Sequence, residues 1–183
     1  AALKSLADLC ARDEQCRTKY PDFDQRVSAL LKRSETGIDI RIPHPLTGVT
    51  ESFRLDRKML ASLLRAPLYV PQLSSVLPYA LAEAGRGDFT ALVALSAAIR
   101  GSVNENFAVG MHFAVICAED VPRIDTAATA QVSATRFGAA FADLYRQACR
   151  LVPSRPVPPE FYSVPASKVP VLIFSGRLAP ATP

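Results

Sequence analysis

Fifteen prolines are spread unevenly along this 183-residue chain, and eight of them fall from Pro153 onward. Proline has no backbone N–H and fixes φ at about −65°, so it breaks any helix interior it enters. It also pushes the residue before it toward extended backbone. The stretch from Leu151 to Pro165 is therefore read as an extended loop, and the long helical segments must precede it. Beyond the loop lies a short apolar run, Val169-Pro-Val-Leu-Ile-Phe174, closed by Ser175-Gly176. A β-branched run that stops at a turn signal is the pattern of a buried strand.

Upstream, apolar spacing alternates between helical and strand periods. Residues 3–35 read as helices, with Leu3, Leu6, Leu9 and Cys10 on one face and Phe23, Val27, Leu30 and Leu31 on another. Tyr20-Pro-Asp separates them, with Pro21 suited to a first helical turn, and Gly37 suits a helix end. Ile38-Asp-Ile-Arg-Ile42 alternates strictly. Pro43-His-Pro-Leu-Thr-Gly48 then forces a turn, and Val49 to Leu55 returns, which makes a hairpin over about 38–55.

Asp56 is placed to cap a helix carrying Met59, Leu60, Leu63 and Leu64, which Pro67 stops. A further helix runs from Pro71 to the Gly85-Arg-Gly87 break, and Asp88 opens another with Phe89, Leu92, Val93 and Leu95. Gly101 to Asn106 reads as loop. Phe107 to Cys117 is apolar and fits helix or strand. Residues 126–149 read as one long amphipathic helix, with Phe137, Ala140, Phe141, Leu144, Tyr145 and Ala148 inward.

The fold class is thus mainly α with a small β component. Residues 1–165 read as a helical domain with a hairpin, and 166–183 as a strand and loop. Hydrophobic residues make up 49% of the chain and charged residues 21%, a proportion that fits a packed core. The net charge of +4 comes from interspersed residues with no Lys/Arg run of five. No nucleic-acid partner is expected from that pattern. No apolar stretch reaches the length of about 18–20 residues that a membrane span requires. The opening Ala-Ala-Leu-Lys-Ser-Leu-Ala lacks the features of a signal peptide and reads as the inside of a helix in a longer protein.

Four cysteines, Cys10, Cys16, Cys117 and Cys149, allow three disulfide pairings or four buried thiols. There is no Cys-x-x-Cys, and neither histidine stands at ligand spacing from a cysteine, so no metal site is expected. Nothing in the chain implies a cofactor.

Several motifs resemble the α/β-hydrolase superfamily, and within it the secreted tripeptidyl- and prolyl-aminopeptidase-like branch. One is Cys10-x5-Cys16 ahead of Tyr20-Pro-Asp22. Others are the Pro45-x-Thr-Gly48 turn with its return strand, and Leu77-Pro-x-Ala80 followed by Gly87-Asp88. A further one is Met111 to Pro122, with its Cys117-x-Glu-Asp-x-Pro122. The last is Val169 to Pro183, which parallels the strand and loop that carry the triad acid. The resemblance implies that residues 1–165 are the cap, or lid, and that 166–183 are the strand and acid loop of a hydrolase core. It also implies disulfides Cys10–Cys16 and Cys117–Cys149, and secretion or periplasmic export.

On that resemblance the acid position is Ala179, whose methyl group cannot accept the imidazole N–H. In a serine-protease triad, replacing the Asp by Asn alone lowers turnover by about 10⁴. No Gly-x-Ser-x-Gly nucleophile turn occurs in these residues, since Gly101-Ser102 lacks the flanking glycine and the preceding strand. His44 and His112 both precede the acid position, whereas the triad order of this fold is Ser, acid, His, so both read as surface or satisfied core histidines. An exopeptidase must also hold a free α-ammonium group, which a carboxylate does by charge-assisted hydrogen bonding. Glu119, with Asp120, is the candidate for that role. The plain alternative has Glu119 paired with an arginine and Asp120 capping a turn. Phe107 with Phe113, and Leu68 to Val70, are pocket-lining or simply core.

The implied function is part of a serine hydrolase, an aminopeptidase that releases residues or short peptides from peptide N-termini. The cap would supply the substrate pocket, and this chain alone would be inactive. Its substrates would be peptides or small amides and esters. An esterase-type hydrolase and a non-catalytic helical binding or assembly module are the alternatives. The terminal strand would also serve a homodimer by strand pairing.

Overall fold

The computed structural model describes residues 2–103, 107–138, 140–166 and 168–176. These are mainly helical, and the only sheet among them is a two-stranded antiparallel hairpin. The chain divides into two compact units, Ala1–Glu105 with Phe174–Pro183, and Asn106–Ile173. The helical region expected as one cap over 1–165 is therefore shared between two units.

In the first unit, α1 (Ala2–Arg12) buries Leu3, Ala7 and Cys10. Asp13 caps α2 (Glu14–Lys19), its carboxylate accepting the Cys16 N–H at 2.7 Å. The Cys10–Cys16 disulfide, with Cα atoms 5.1 Å apart, closes the joint between these helices. α3 (Phe23–Arg33) buries Phe23, Val27, Leu30 and Leu31, the face that its spacing predicts.

Pro21 lies in the turn before α3 and not in its first turn. Asp22 makes the entry instead, at φ 59°, a left-handed conformation that Asp tolerates better than most residues. α3 stops at Ser34, which is buried and donates its hydroxyl to Leu31 O at 2.8 Å. Gly37, at φ 80°, closes the turn after that cap, its N–H donating to Ser34 O at 3.1 Å.

The hairpin pairs β1 (Ile38–Pro43) with β2 (Thr50–Leu55), Ile38 opposite Leu55 and Ile40 opposite Phe53. Ile40, Ile42 and Leu55 are buried while their neighbours face outward, which is the period-2 pattern. In the loop, His44 N–H donates to Val49 O and Gly48 N–H to His44 O, both at 2.8 Å. His44 Nδ1 accepts the Leu46 and Thr47 N–H groups at 3.3 and 3.2 Å.

Asp56 caps α4 (Arg57–Arg65) by accepting the Met59 N–H at 2.8 Å. α4 buries Leu60, Ala61 and Leu64, whereas Met59 is exposed. Pro67 falls in the 3₁₀ turn Ala66–Tyr69 that ends the helix. The single helix expected from Pro71 is two, α5 (Pro71–Ser74) and α6 (Leu77–Arg86). The missing N–H of Pro78 is harmless only in a first turn, so a new helix starts there.

Gly87, at φ 103°, ends α6. Asp88 then accepts the Thr90 N–H at 2.9 Å at the start of α7 (Thr90–Val103). α7 takes in Gly101, Ser102 and Val103, which the sequence pattern assigned to a loop. No proline interrupts it there, and one glycine in a helix costs only about 1 kcal/mol.

α3 packs against α1, α4 and α6, and α7 against α4 and α6. Val27, Leu30, Leu55, Leu60, Leu64, Leu77, Leu81, Phe89 and Leu92 are fully buried between them. Each such side chain contributes about 1.5–3 kcal/mol. The exposed pairs Lys4–Asp8 and Arg54–Asp39 contribute about 0–1 kcal/mol each. Apolar burial therefore holds this unit.

The second unit contains α8 (Val109–Glu119), a 3₁₀ turn at Val121–Arg123, α9 (Thr126–Ser133), α10 (Ala140–Cys149) and a 3₁₀ turn at Pro159–Tyr162. The ambiguous apolar stretch is thus helix. The long helix expected over 126–149 is interrupted by turns around Gly138, at φ 63°, whose N–H donates to Thr135 O at 3.0 Å.

The strand expected at 169–174 is not formed. Its apolar residues are 71–87% exposed and no strand pairs with them among the described residues. A strand exists only as part of a ladder, and here β1 and β2 pair with each other.

Candidate functional site

α8 carries no charged side chain until its last residue, Glu119, and Asp120 follows as its C-cap. Two carboxylates thus stand where the helix dipole is already negative, and together they favour a cation. Glu119 is half-buried and Asp120 exposed. Among the described residues no hydrogen bond or ion pair forms to either carboxylate. The pairing of Glu119 with an arginine, the plain alternative, is absent among them. Asp120 acts through its backbone: its N–H donates to Ile116 O and its carbonyl accepts the Arg123 N–H, both at 3.0 Å.

The last carbonyls of a helix have no partner within it. At the end of α8 the Pro-rich segment supplies them. Val157 N–H donates to Ala118 O at 3.1 Å, and the Tyr162 hydroxyl donates to Glu119 O. Tyr162 is presented by the turn at Pro159–Tyr162, with Phe161 edge-on to its ring at 5.3 Å. The Arg123 guanidinium lies over the Tyr162 ring, 4.0 Å from its centroid. The sequence pattern pointed to neither Tyr162 nor Arg123. The only signal was the Pro158-Pro159 pair ahead of two aromatics.

On its other side α8 is tied to α10. Cys117 is buried and bonded to Cys149, with Cα atoms 5.3 Å apart. Both disulfides implied by the resemblance are present, and no cysteine is free. His112 Nε2 lies 3.2 Å from the Tyr145 hydroxyl. Phe107 and Phe113 flank the imidazole, with centroids at 4.9 and 5.5 Å. The histidine is held within an aromatic cluster of the second unit.

In the first unit, His44 organises the hairpin loop, and Ser102 lies within α7, not on a strand-to-helix turn. Leu68 is buried, while Tyr69 is exposed and accepts from Arg65 at 2.6 Å. Ala179 lies outside the described residues.

Among the described residues no group of three or more His, Cys, Asp or Glu side chains is arranged to hold a metal. No helix among them is long and apolar enough to cross a membrane. The two disulfides are compatible with an oxidising compartment. No protein-family model, curated protein or solved structure matches the chain.

Proposed function

We propose that this chain is the helical cap part of an exported serine hydrolase, an exopeptidase acting at peptide N-termini, and that these 183 residues do not turn over substrate alone. The observation that carries the reading is the Val171–Phe174 run, apolar in sequence yet exposed and outside any ladder among the described residues. Such a segment gains most by joining the sheet of a larger hydrolase core, and Ser175-Gly176 continues it in the manner of an acid loop. The two disulfides support secretion or periplasmic export. At the end of α8, Glu119 and Asp120 are the groups that would take the α-ammonium of a peptide substrate.

Two measurements on the purified chain test this. No hydrolysis of aminoacyl or peptidyl chromogenic amides is expected, and no labelling by a fluorophosphonate. Calorimetric titration with a tripeptide and its N-acetylated form should show the free amine binding about tenfold more tightly, the scale of one charge-assisted hydrogen bond. Inhibitor-sensitive turnover, or equal behaviour of the two peptides, overturns the reading.

The same exposed run favours a second reading, a non-catalytic assembly module whose ribbon pairs with a strand of another copy. Light scattering separates them. A monomer argues against self-pairing, and a dimer abolished by Leu172→Lys argues for it.

A further inference from the structure

The Pro-rich segment closes the end of α8 through two hydrogen bonds, from Val157 N–H to Ala118 O and from the Tyr162 hydroxyl to Glu119 O. Between these anchors lie Pro158 and Pro159, which stiffen the backbone. On either side of them Arg155 and Ser163 are exposed. We infer that residues 151–163 form a strap, that Tyr162 is its latch, and that the latch positions Glu119. The last clause rests on the reading of Glu119 as the amine-binding carboxylate; the latch itself does not.

The geometry supports this in three ways. The Tyr162 bond ends on the backbone of the very residue whose carboxylate is at issue. Fixing that carbonyl fixes the Cα from which the Glu119 side chain departs. The Arg123 guanidinium, 4.0 Å over the Tyr162 ring, holds the phenol by a cation–π contact. The backbone N–H of Arg123 donates to Asp120 O, so the residue that carries the cation is anchored to the turn that follows Glu119. Finally, the strap replaces water at carbonyls that α8 cannot satisfy itself. With the strap open those carbonyls face solvent and the helix end frays. Tyr162 is thus a positioning residue, acting through Glu119 and not on a ligand.

Tyr162→Phe removes only the hydroxyl. One neutral hydrogen bond corresponds to about a fivefold change in the open population. The Val157 amide should therefore exchange its hydrogen about fivefold faster, and trypsin should cut at Arg150 correspondingly sooner. The free-amine tripeptide should bind about fivefold more weakly, with the acetylated peptide unaffected. Arg123→Gln, which leaves the hydroxyl in place, should act in the same direction but less.

Unchanged exchange at Val157 in Tyr162→Phe overturns the latch. Faster exchange with unchanged amine affinity overturns the positioning of Glu119. If the unmodified chain shows no preference for the free amine, the function proposed above fails with the positioning role, while the exchange data still decide the latch.

Discussion

Cys149, the last residue of α10, is bonded to Cys117 near the end of α8, and earlier on both helices Tyr145 meets His112. Both rungs advance in the same direction along the two helices, so α8 and α10 run parallel. Parallel neighbours need a return path between them, and the stretch containing α9 supplies it. The upper rung is covalent, and the lower is one hydrogen bond inside an aromatic cluster.

Removing the covalent rung should dominate. The pair Cys117→Ala with Cys149→Ala frees a loop with a sequence separation of 32. On chain-entropy grounds that loss is about 3–4 kcal/mol. Tyr145→Phe, which removes one hydrogen bond, should lose about 1 kcal/mol. Urea unfolding read by tyrosine fluorescence compares them, and equal losses would contradict the ranking.

Gly37 stands in a backbone conformation that residues with a side chain rarely adopt. At φ 80° its backbone is left-handed, and a Cβ there would run into the Arg54 side chain. That guanidinium is engaged by the Asp39 carboxylate, at 2.9 Å, and by Thr36 O. Gly37→Ala should destabilise the first unit by about 1–2 kcal/mol from the backbone alone. Displacement of Arg54 adds to this. A thermal midpoint unchanged from the parent would refute the placement.

Asp88 gives the fold an acid-sensitive point. Hydrogen bonds from the side chain and backbone of Thr90 hold its pKa below the ordinary value of 3.8. The folded-state pKa lies below the unfolded one, so the stabilisation is complete above the unfolded value. It is lost as the pH falls through the lowered folded value. Asp88→Ala should cost about 0.5–1 kcal/mol near neutrality, and the difference from the parent should shrink below pH about 4. A difference that grows in acid would reverse the assignment.

The hairpin loop depends on an imidazole. His44 Nδ1 accepts two backbone N–H groups, from Leu46 and Thr47. His44→Ala should cost about 1 kcal/mol and speed exchange of the Leu46 and Thr47 amides, while leaving the ladder amides of β1 and β2 protected. Loss of protection along the whole ladder would show that the loop, and not the strand pairing, nucleates the hairpin.

Local chemistry was readable from the residues wherever cause and effect lie close together in the chain. The Ile38–Ile42 alternation, the Asp56 cap and the Phe23/Val27/Leu30/Leu31 face each depend on neighbours a few positions away. The failures have longer range. Val169–Phe174 has strand composition, but composition does not supply a partner. Gly138 sits in an amphipathic pattern whose two halves share a period, so the break at a positive φ was hidden. At the candidate site, Glu119 and Asp120 were picked out by the Cys-x-Glu-Asp-x-Pro resemblance, while the stretch before them fitted helix or strand equally. Tyr162 was not picked out, because its partner is a backbone oxygen 43 positions away and leaves no trace in residue type.

The two cross-links close rings of very different size, with sequence separations of 6 and 32. During oxidation the small ring needs only a short local stretch of chain to close. The large one must wait until α9 has brought the chain back and two parallel helices are aligned, a slower search through more conformations. Biogenesis of this protein therefore has a natural order, early for Cys10–Cys16 and late for Cys117–Cys149, and a chain trapped halfway would carry a settled amino-terminal unit beside an unfinished second one.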